Sequence, residues 1–249
     1  MEKELQPTDP LIALKTFAAA RIAIGRVGTS IPLKQSLEFN LAHAHARDAV
    51  YSVLDADGLF ESLKVFELPL LHLHSRALTR HKYLKRPDLG RQLDDDSAQH
   101  LTGYSNYDVA IIVADGLSAE AVNENAFRLL QLLIPKLFAA NLTIAPICLV
   151  EQGRVAIGDD IGSALKARFS IVLIGERPGL SSADSMGAYL TYAPRPGLTD
   201  ESRNCVSNIR PHGLKHKPAA EKIFYLVIEA FKRKLSGVGL KDNAGLIGH

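Results

Sequence analysis

Asp108-Val-Ala-Ile-Ile-Val-Ala114, running straight into Asp115-Gly-Leu-Ser118, is the stretch on which the fold turns. A β-branched apolar run without polar alternation is what a strand covered on both faces shows. The Asp-Gly turn ends it, and Ser118 stands where a helix N-cap belongs. Downstream, the pattern predicts a long helix over about Ala119–Ala140, a second buried strand over Ile144–Val150 and a short helix over Ile161–Ala167. Phe169-Ser-Ile-Val-Leu-Ile-Gly175 then reads as a third strand of the same apolar kind. Strand, helix, strand, helix, strand is the signature of a parallel sheet with right-handed crossovers. Gly187–Tyr192 reads as a further strand and Pro218–Leu235 as an amphipathic helix.

Upstream the reading is helical. Thr8-Asp9-Pro10 offers a cap and a first-turn proline, and Leu11, Leu14, Phe17, Ala18, Ile22 and Ile24 recur at mostly helical spacing as far as Arg26. Val27 to Pro32 breaks that pattern. A second helix is expected over Leu33–Leu54, with Leu37, Leu41, Ala44 and Ala49 on one side, ended by the turn chemistry of Asp55-Ala-Asp-Gly58. Glu67–Ser75 alternates too ambiguously to assign. In Tyr83-Leu-Lys-Arg-Pro-Asp-Leu-Gly-Arg91, Pro87 keeps Arg86 out of the helical region and Asp88 stands ready to start the next helix. The expectation is an α/β fold: a mostly parallel open sheet flanked by helices, residues 103–249, preceded by an N-terminal helical segment, residues 1–102.

The chain has 249 residues, enough for one or two domains and a sizeable core. With 47% hydrophobic and 22% charged residues the composition is that of a globular protein, not a disordered tail or a fibre. The net charge of +2 (29 basic residues against 27 acidic) gives no electrostatic footprint for nucleic acid or an anionic membrane. Cys148 and Cys205 match no metal spacing, and so few cysteines fit a reducing compartment. No stretch approaches the roughly 18 unbroken apolar residues of a membrane span. Met1–Pro10, with Glu2 and Glu4, has no apolar core of a secretory signal. These features together read as a soluble cytosolic protein.

An open parallel sheet takes ligands beyond the carboxyl ends of its strands. Three loops fall there: Ala114-Asp-Gly-Leu-Ser118, Glu151-Gln-Gly-Arg-Val155 and Gly175-Glu-Arg-Pro-Gly-Leu180. Each pairs a glycine with a charged residue directly after a buried strand, although ordinary strand-to-helix turns would show the same residues. The dinucleotide, P-loop and Gly-x-Ser-x-Gly motifs are absent. His43 with His45, and His72 with His74, sit two apart; on a helix such pairs face different ways, so they read as surface or half-buried residues. Asp94-Asp-Asp96 reads as a solvated helix face. Asp115 and Glu176 are the carboxylates expected at the functional edge. Nothing supplies the positioned second partner that acid–base catalysis wants, so the residues describe a binding domain without a catalytic set of its own.

Five motifs in order carry a resemblance: Tyr83-Leu-Lys-Arg-Pro-Asp-Leu-Gly-Arg91, Asp115-Gly-Leu-Ser118, Gly153-Arg-Val155, Gly175-Glu-Arg-Pro-Gly-Leu180 and Cys205-Val-Ser-Asn-Ile209. Together they closely resemble the small (light) subunit of ethanolamine ammonia-lyase, over about residues 10 to 240. The resemblance implies a Rossmann-like cobalamin-binding domain in a hetero-oligomeric carbon–nitrogen lyase that converts ethanolamine to acetaldehyde and ammonia. It implies adenosylcobalamin as cofactor, homolysed at its cobalt–carbon bond so that a deoxyadenosyl radical abstracts a substrate hydrogen. It also implies a large subunit that binds ethanolamine and contacts the N-terminal region, with the cofactor held between the two chains.

Carried over position by position, the family's cobalamin contacts fall on Val155, Glu176 and Cys205, with no catalytic and no metal-ligating residue in this chain. Glu176 would accept hydrogen bonds from the amide rim of the corrin, Val155 would give apolar contact, and Cys205 would let backbone approach a bulky ligand. Cys205 is not expected to be a redox thiol, and Cys148 should be a plain core residue. No Asp-x-His-x-x-Gly motif exists, so the nucleotide base is expected to stay on cobalt. Some family members carry a longer N-terminal extension tied to packaging in a microcompartment; here the helical pattern starts almost at once, which leaves encapsulation doubtful. Two other readings stay open: a free-standing small-molecule enzyme using Asp115, Glu176 and His212, and a structural partner that never touches cofactor. The basic run Arg80–Arg91 is a partner-binding candidate, and Leu240–His249 is expected to be a frayed tail.

Overall fold

The computed structural model describes residues 10–16 and 21–241. Its helices are α1 (Leu33–Val50), α2 (Ala56–Leu63), α3 (Arg80–Lys85), α4 (Asp95–His100), α5 (Ala119–Ala139), α6 (Ile157–Ala164) and α7 (His216–Arg233). Its strands are β1 (Leu70–His74), β2 (Val109–Ala114), β3 (Ile147–Glu151), β4 (Phe169–Gly175), β5 (Met186–Tyr192) and β6 (Arg203–Ile209), forming one sheet in the order β1-β3-β2-β4-β5-β6. The first four in that order are parallel; β5 pairs antiparallel with β4, and β6 antiparallel with β5.

All six residues of β2 are buried, because successive side chains point to opposite covered faces. Val109, Ile111 and Val113 pack with Leu129, Leu130 and Leu133 of α5 and with Ile223 and Val227 of α7. Ala110, Ile112 and Ala114 pack with Ile157, Ile161 and Leu165 around α6 on the other face. Burying each large aliphatic side chain stabilises the fold by roughly 1.5–3 kcal/mol. Ser118 caps α5 by accepting the Ala121 N–H at 3.2 Å. The α/β class and the buried parallel strands are therefore as expected.

Boundaries shift where a local feature competes with the pattern. β3 begins at Ile147 rather than Ile144, just after Pro146, which has no N–H for the ladder. α6 begins at Ile157, not Ile161, and its Gly158 and Gly162 are packing residues. A Cβ on Gly158 would lie 2.3 Å from Val172 Cγ2, and one on Gly162 would lie 2.4 Å from Pro194 Cγ. Those glycines bring the helix down onto the sheet. α7 runs two residues ahead of its expected span, with Pro218 in its first turn and Lys234 ending it at φ 58.

Two strands were not legible. β1 lies in the unassigned stretch, pairing in register from Leu70↔Ile147 to His74↔Glu151. The sheet thus draws one strand from before the expected division at residue 102 and five from after it. β6 is a polar edge strand in which Arg203, Val206 and Ile209 are buried and the rest face outward or half outward.

The N-terminal third departs most. Pro10–Thr16 forms a 3-10 helix. Arg21–Arg26 is irregular, with Ala23 (φ 49) and Gly25 (φ 78) in left-handed conformations that no α-helix admits, so the first helix does not reach Arg26. Thr8, Asp9, Phe17 and Ala18 lie outside the described residues. α1 stops at Val50, and Leu54 belongs instead to the core. Asp55 starts a helix rather than closing a turn, its carboxylate accepting the Gly58 N–H at 3.0 Å. Asp94 likewise caps α4 through Ser97 N–H at 2.8 Å, while Asp95 and Asp96 stay exposed beside its positive end. Asp88 caps nothing with its side chain; it pairs with Arg86 at 2.6 and 2.9 Å beside the short 3-10 turn Leu89–Arg91. At the other end Leu240 is buried and its carbonyl accepts from Asn204 at 2.8 Å, so Leu240 is not part of a frayed tail; residues 242–249 lie outside the described residues.

Candidate functional site

The connection after β2 leads to α5 on one face of the sheet, and the one after β3 leads to α6 on the other. Between them the carboxyl edge opens. Asp115 sits at that point, 3% exposed. Its Oδ1 accepts from Gly116 N at 2.8 Å and Gly153 N at 3.0 Å, and its Oδ2 accepts from Gln152 N at 2.9 Å. Burial pushes this carboxyl up to about 6, against the pull of those N–H groups and of Arg80, whose Nη1 stands 3.7 Å away. Asp115 is therefore at the edge the sequence assigned to it, but as a staple joining two loops rather than as a group facing a ligand.

A second staple sets the other wall. Tyr83 from α3 is buried, and its hydroxyl donates to the Gly153 carbonyl at 3.2 Å. The Arg80 and Arg154 guanidinium carbons lie 4.7 and 4.1 Å from its ring centroid. Arg80 also donates to the carbonyls of Val50 and Gly116, each at 2.7 Å. The basic run read as a partner surface is thus split: Arg80 turns inward, Arg86 pairs with Asp88, and Lys82, Lys85 and Arg91 stay exposed. Leu117 N donates to Gly175 O at 2.9 Å, and a Cβ on Gly175 would lie 1.9 Å from Ser118 O, so the loops after β2 and β4 are pressed together.

Between these walls lies a solvent-open cleft of about 450 Å³. Val155 and Glu176 both line it, with Tyr83, Leu117, Arg154, Arg177 and Tyr189. Glu176 is half-buried; its Oε2 accepts from Ser185 Oγ at 2.5 Å and Asn208 N at 3.1 Å. Among the described residues its Oε1 has no hydrogen-bond donor. Cys205 stands one strand further out, paired in register with Tyr189. Its thiol is raised above the usual range by burial and by the Glu176 charge, opposed by the hydrogen bond from Tyr189, so it is a thiol rather than a thiolate at neutral pH. Cys148 is buried in β3 and pushed up to about 12, an inert core residue.

The structure therefore gathers Val155 and Glu176 in one cleft and sets Cys205 against its rim. Tyr83, Arg154, Arg177, Leu117 and Tyr189 were not singled out beforehand. Tyr83, Leu117, Arg154 and Arg177 sit inside the quoted motifs, so their signal was present. Tyr189 was hidden because the pairing of β5 with β4 is a tertiary fact. His72 and His74 lie on a strand, where residues two apart share a face, and not on a helix. His72 Nε2 bonds Glu151 at 2.9 Å, and His74 Nδ1 bonds the Ser75 carbonyl at 2.6 Å. His212 is exposed after β6 and does not line the cleft. Among the described residues no group of three or more His, Cys, Asp or Glu side chains could hold a metal ion, and no helix is long and apolar enough to cross a membrane.

Fold and site together define an open α/β sheet protein with a cleft at its carboxyl edge, where the buried Asp115 is spent on the scaffold. Comparison with known proteins narrows this. The family described as "Ethanolamine ammonia-lyase light chain (EutC)" matches residues 8–241, and the chain belongs to it. It is 50% identical to the ethanolamine ammonia-lyase small subunit of Pseudomonas aeruginosa (strain UCBPP-PA14) over 241 residues, 95% of this chain and 88% of that one. It is 52% identical to the small subunit of Xanthomonas campestris pv. campestris (strain ATCC 33913) over 243 residues, 96% of this chain and 89% of the relative.

Proposed function

We propose that the chain is the small subunit of an adenosylcobalamin-dependent ethanolamine ammonia-lyase and holds the cofactor against a large subunit that binds ethanolamine. The observation that carries this reading is the convergence of Val155 and Glu176 in one open cleft, with a Glu176 oxygen left uncommitted. The residues fit the group. Corrin is rimmed by neutral amides, and Glu176 Oε1 accepts their N–H groups with a charge-assisted bond. Val155, Leu117 and the Tyr189 ring give apolar contact, and Cys205 keeps the neighbouring rim small. When bound, adenosylcobalamin supplies radical chemistry by homolysis of its cobalt–carbon bond, turning ethanolamine into acetaldehyde and ammonia. This chain's residues bind, orient and keep water out.

Two further features support the reading. The cleft is smaller than a whole cobalamin and open to solvent, as one half of a shared site would be. For the partner, α1 carries Leu33, Leu37 and Leu41 at four-residue spacing, 73%, 57% and 61% exposed. We assign this stripe to the large subunit.

The test is Glu176→Ala in the co-expressed complex, followed by gel filtration and by titration with cobalamin read from its visible absorbance. The expected outcome is an intact complex with about tenfold or greater loss of cobalamin affinity, the size of one charge-assisted hydrogen bond. An unchanged affinity would leave the chain a structural partner only. Release of acetaldehyde by this chain alone would instead favour the free-standing enzyme.

A further inference from the structure

At the amino edge of the sheet, the end away from the cleft, lies a second hollow of about 340 Å³. It forms where the chain leaves α6, enters β4 and leaves β5, and it is lined by Ser163, Lys166, Arg168, Tyr192, Pro194 and Arg195 among others. Among the described residues no acidic side chain lines it. Lys166 turns the chain at the end of α6 with φ 48, and the Lys166 and Ala167 N–H groups donate to the carbonyls of Ser163 and Gly162 at 3.1 and 2.9 Å. These bonds occupy carbonyls that would otherwise repel an anion at the negative end of the helix. Ala193, also left-handed at φ 48, carries the chain from β5 over α6, where Gly162 makes room for Pro194. Arg195 then stands between Pro194, whose ring fixes its φ, and Pro196, which disfavours helical backbone at Arg195.

The charges around this hollow do not balance. Arg168 Nη1 donates to Asp108 Oδ1 at 2.8 Å, and its guanidinium carbon lies 4.6 Å from the Phe231 ring centroid, so the plane of the fork is set before any ligand arrives. Asp108 also accepts from the Thr143 N–H and hydroxyl, each at 2.9 Å, so that carboxylate is already committed. The exposed side chains of Lys166 and Arg195 make no hydrogen bond or ion pair with any described residue, and the hydroxyls of Ser163 and Tyr192 have no hydrogen-bond partner among them. Cations and hydroxyl donors without a facing carboxylate suit an oxyanion. A carboxylate would balance one of the two unpaired cations, whereas a phosphate monoester dianion balances both. We propose that this hollow binds the phosphate group of a small phosphorylated molecule, with the Arg168 fork fixed in place and Lys166 and Arg195 completing the charge. Arg168 precedes β4 and Glu176 follows it, so this site lies about 25 Å from the cleft by the rise of the strand and does not depend on the cofactor reading.

The test is calorimetric titration of the co-expressed complex, without corrinoid and at fixed ionic strength, with inorganic phosphate, methyl phosphate and acetate. Both phosphates are expected to bind saturably and within about threefold of each other, and acetate at least about tenfold more weakly. Lys166→Gln and Arg195→Gln remove exposed side chains bonded to nothing described, so neither threatens the fold. Each should weaken methyl phosphate about tenfold, and the pair about a hundredfold. Lys217→Gln takes the same charge from the other end of α7, away from Phe231, and should change the affinity by less than about twofold. Added sodium chloride should weaken the wild type more than the double variant. The proposal is overturned if neither phosphate saturates, if acetate binds as tightly, or if inorganic phosphate binds and methyl phosphate does not. Equal losses in Lys217→Gln and in the two pocket variants would also overturn it, since they would mean attraction to overall charge rather than to this hollow.

Discussion

β2 and α1 are comparable in how readily an apolar pattern suggests burial, and opposite in outcome. Every residue of β2 is buried between two helical layers. Of the eighteen residues of α1, Ala49 is the one buried, while Leu33, Leu37 and Leu41 face solvent. The difference teaches that an apolar stripe announces a cover without saying whose it is. β2 finds its cover within the chain, from α5, α6 and α7. Among the described residues α1 does not, and the reading of this chain as one of two subunits assigns that cover to the partner.

The largest effect that would sharpen the contrast is in the core over β2. Leu133→Ala on α5 should lower the stability of the subunit by about 2–5 kcal/mol, through lost burial and a residual cavity, measured by urea denaturation. A loss below about 1 kcal/mol would mean that the α5 layer is not the structural core.

The carboxyl edge gives an intermediate effect with a pH signature. Asp115 is raised by burial to about 6, above the unfolded value near 4. In that window the folded chain holds its proton while the unfolded chain has lost it, so this group's contribution to stability falls as pH rises from about 4 to 6 and is flat above. A two-unit shift corresponds to about 2–3 kcal/mol. Asp115→Asn removes the titration, so the stability gap between wild type and variant should change by about that amount, with wild type losing ground as pH rises. Denaturation at pH 4 and pH 7 checks it; a pH-independent gap would show that Asp115 titrates as it does in the unfolded chain.

The smallest effect on the isolated subunit is expected at α1. Leu37→Ser should alter the stability of the free subunit by less than about 0.5 kcal/mol, because the side chain is exposed. In the complex it should weaken assembly, read by gel filtration at falling concentration. A large loss of stability in the free subunit would place the cover of α1 inside this chain and break the comparison.

Legibility followed the same divide. Asp108–Ser118 announced its strand, turn and cap because every requirement there is local: a β-branched run, an Asp-Gly turn and a hydroxyl three residues before the amide it accepts. β1 and β6 did not, because edge strands need only one apolar face and their partners are remote in sequence. His72 and His74 show the cost of that blindness, since the same spacing means opposite things on a strand and on a helix.

The candidate site was half legible. The loop motifs marked Val155 and Glu176, but nothing in the spacing foretold that Tyr83 would lock under Arg154 or that Asp115 would be spent holding Gln152 and Gly153.

What the amino-acid order determined unaided is the α/β class, the buried parallel strands, the caps at Ser118 and the residues offered at the carboxyl edge. These depend on side-chain period and short-range hydrogen bonding, which act within a few residues. Only the tertiary structure decided which carboxylate became scaffold and which stayed open to a ligand. Burial and N–H donors from distant loops reach Asp115 through the chain's packing, whereas among the described residues one Glu176 oxygen has no donor. Among the described residues the same packing leaves α1 bare, since a chain can cover only the surface that its own layers reach.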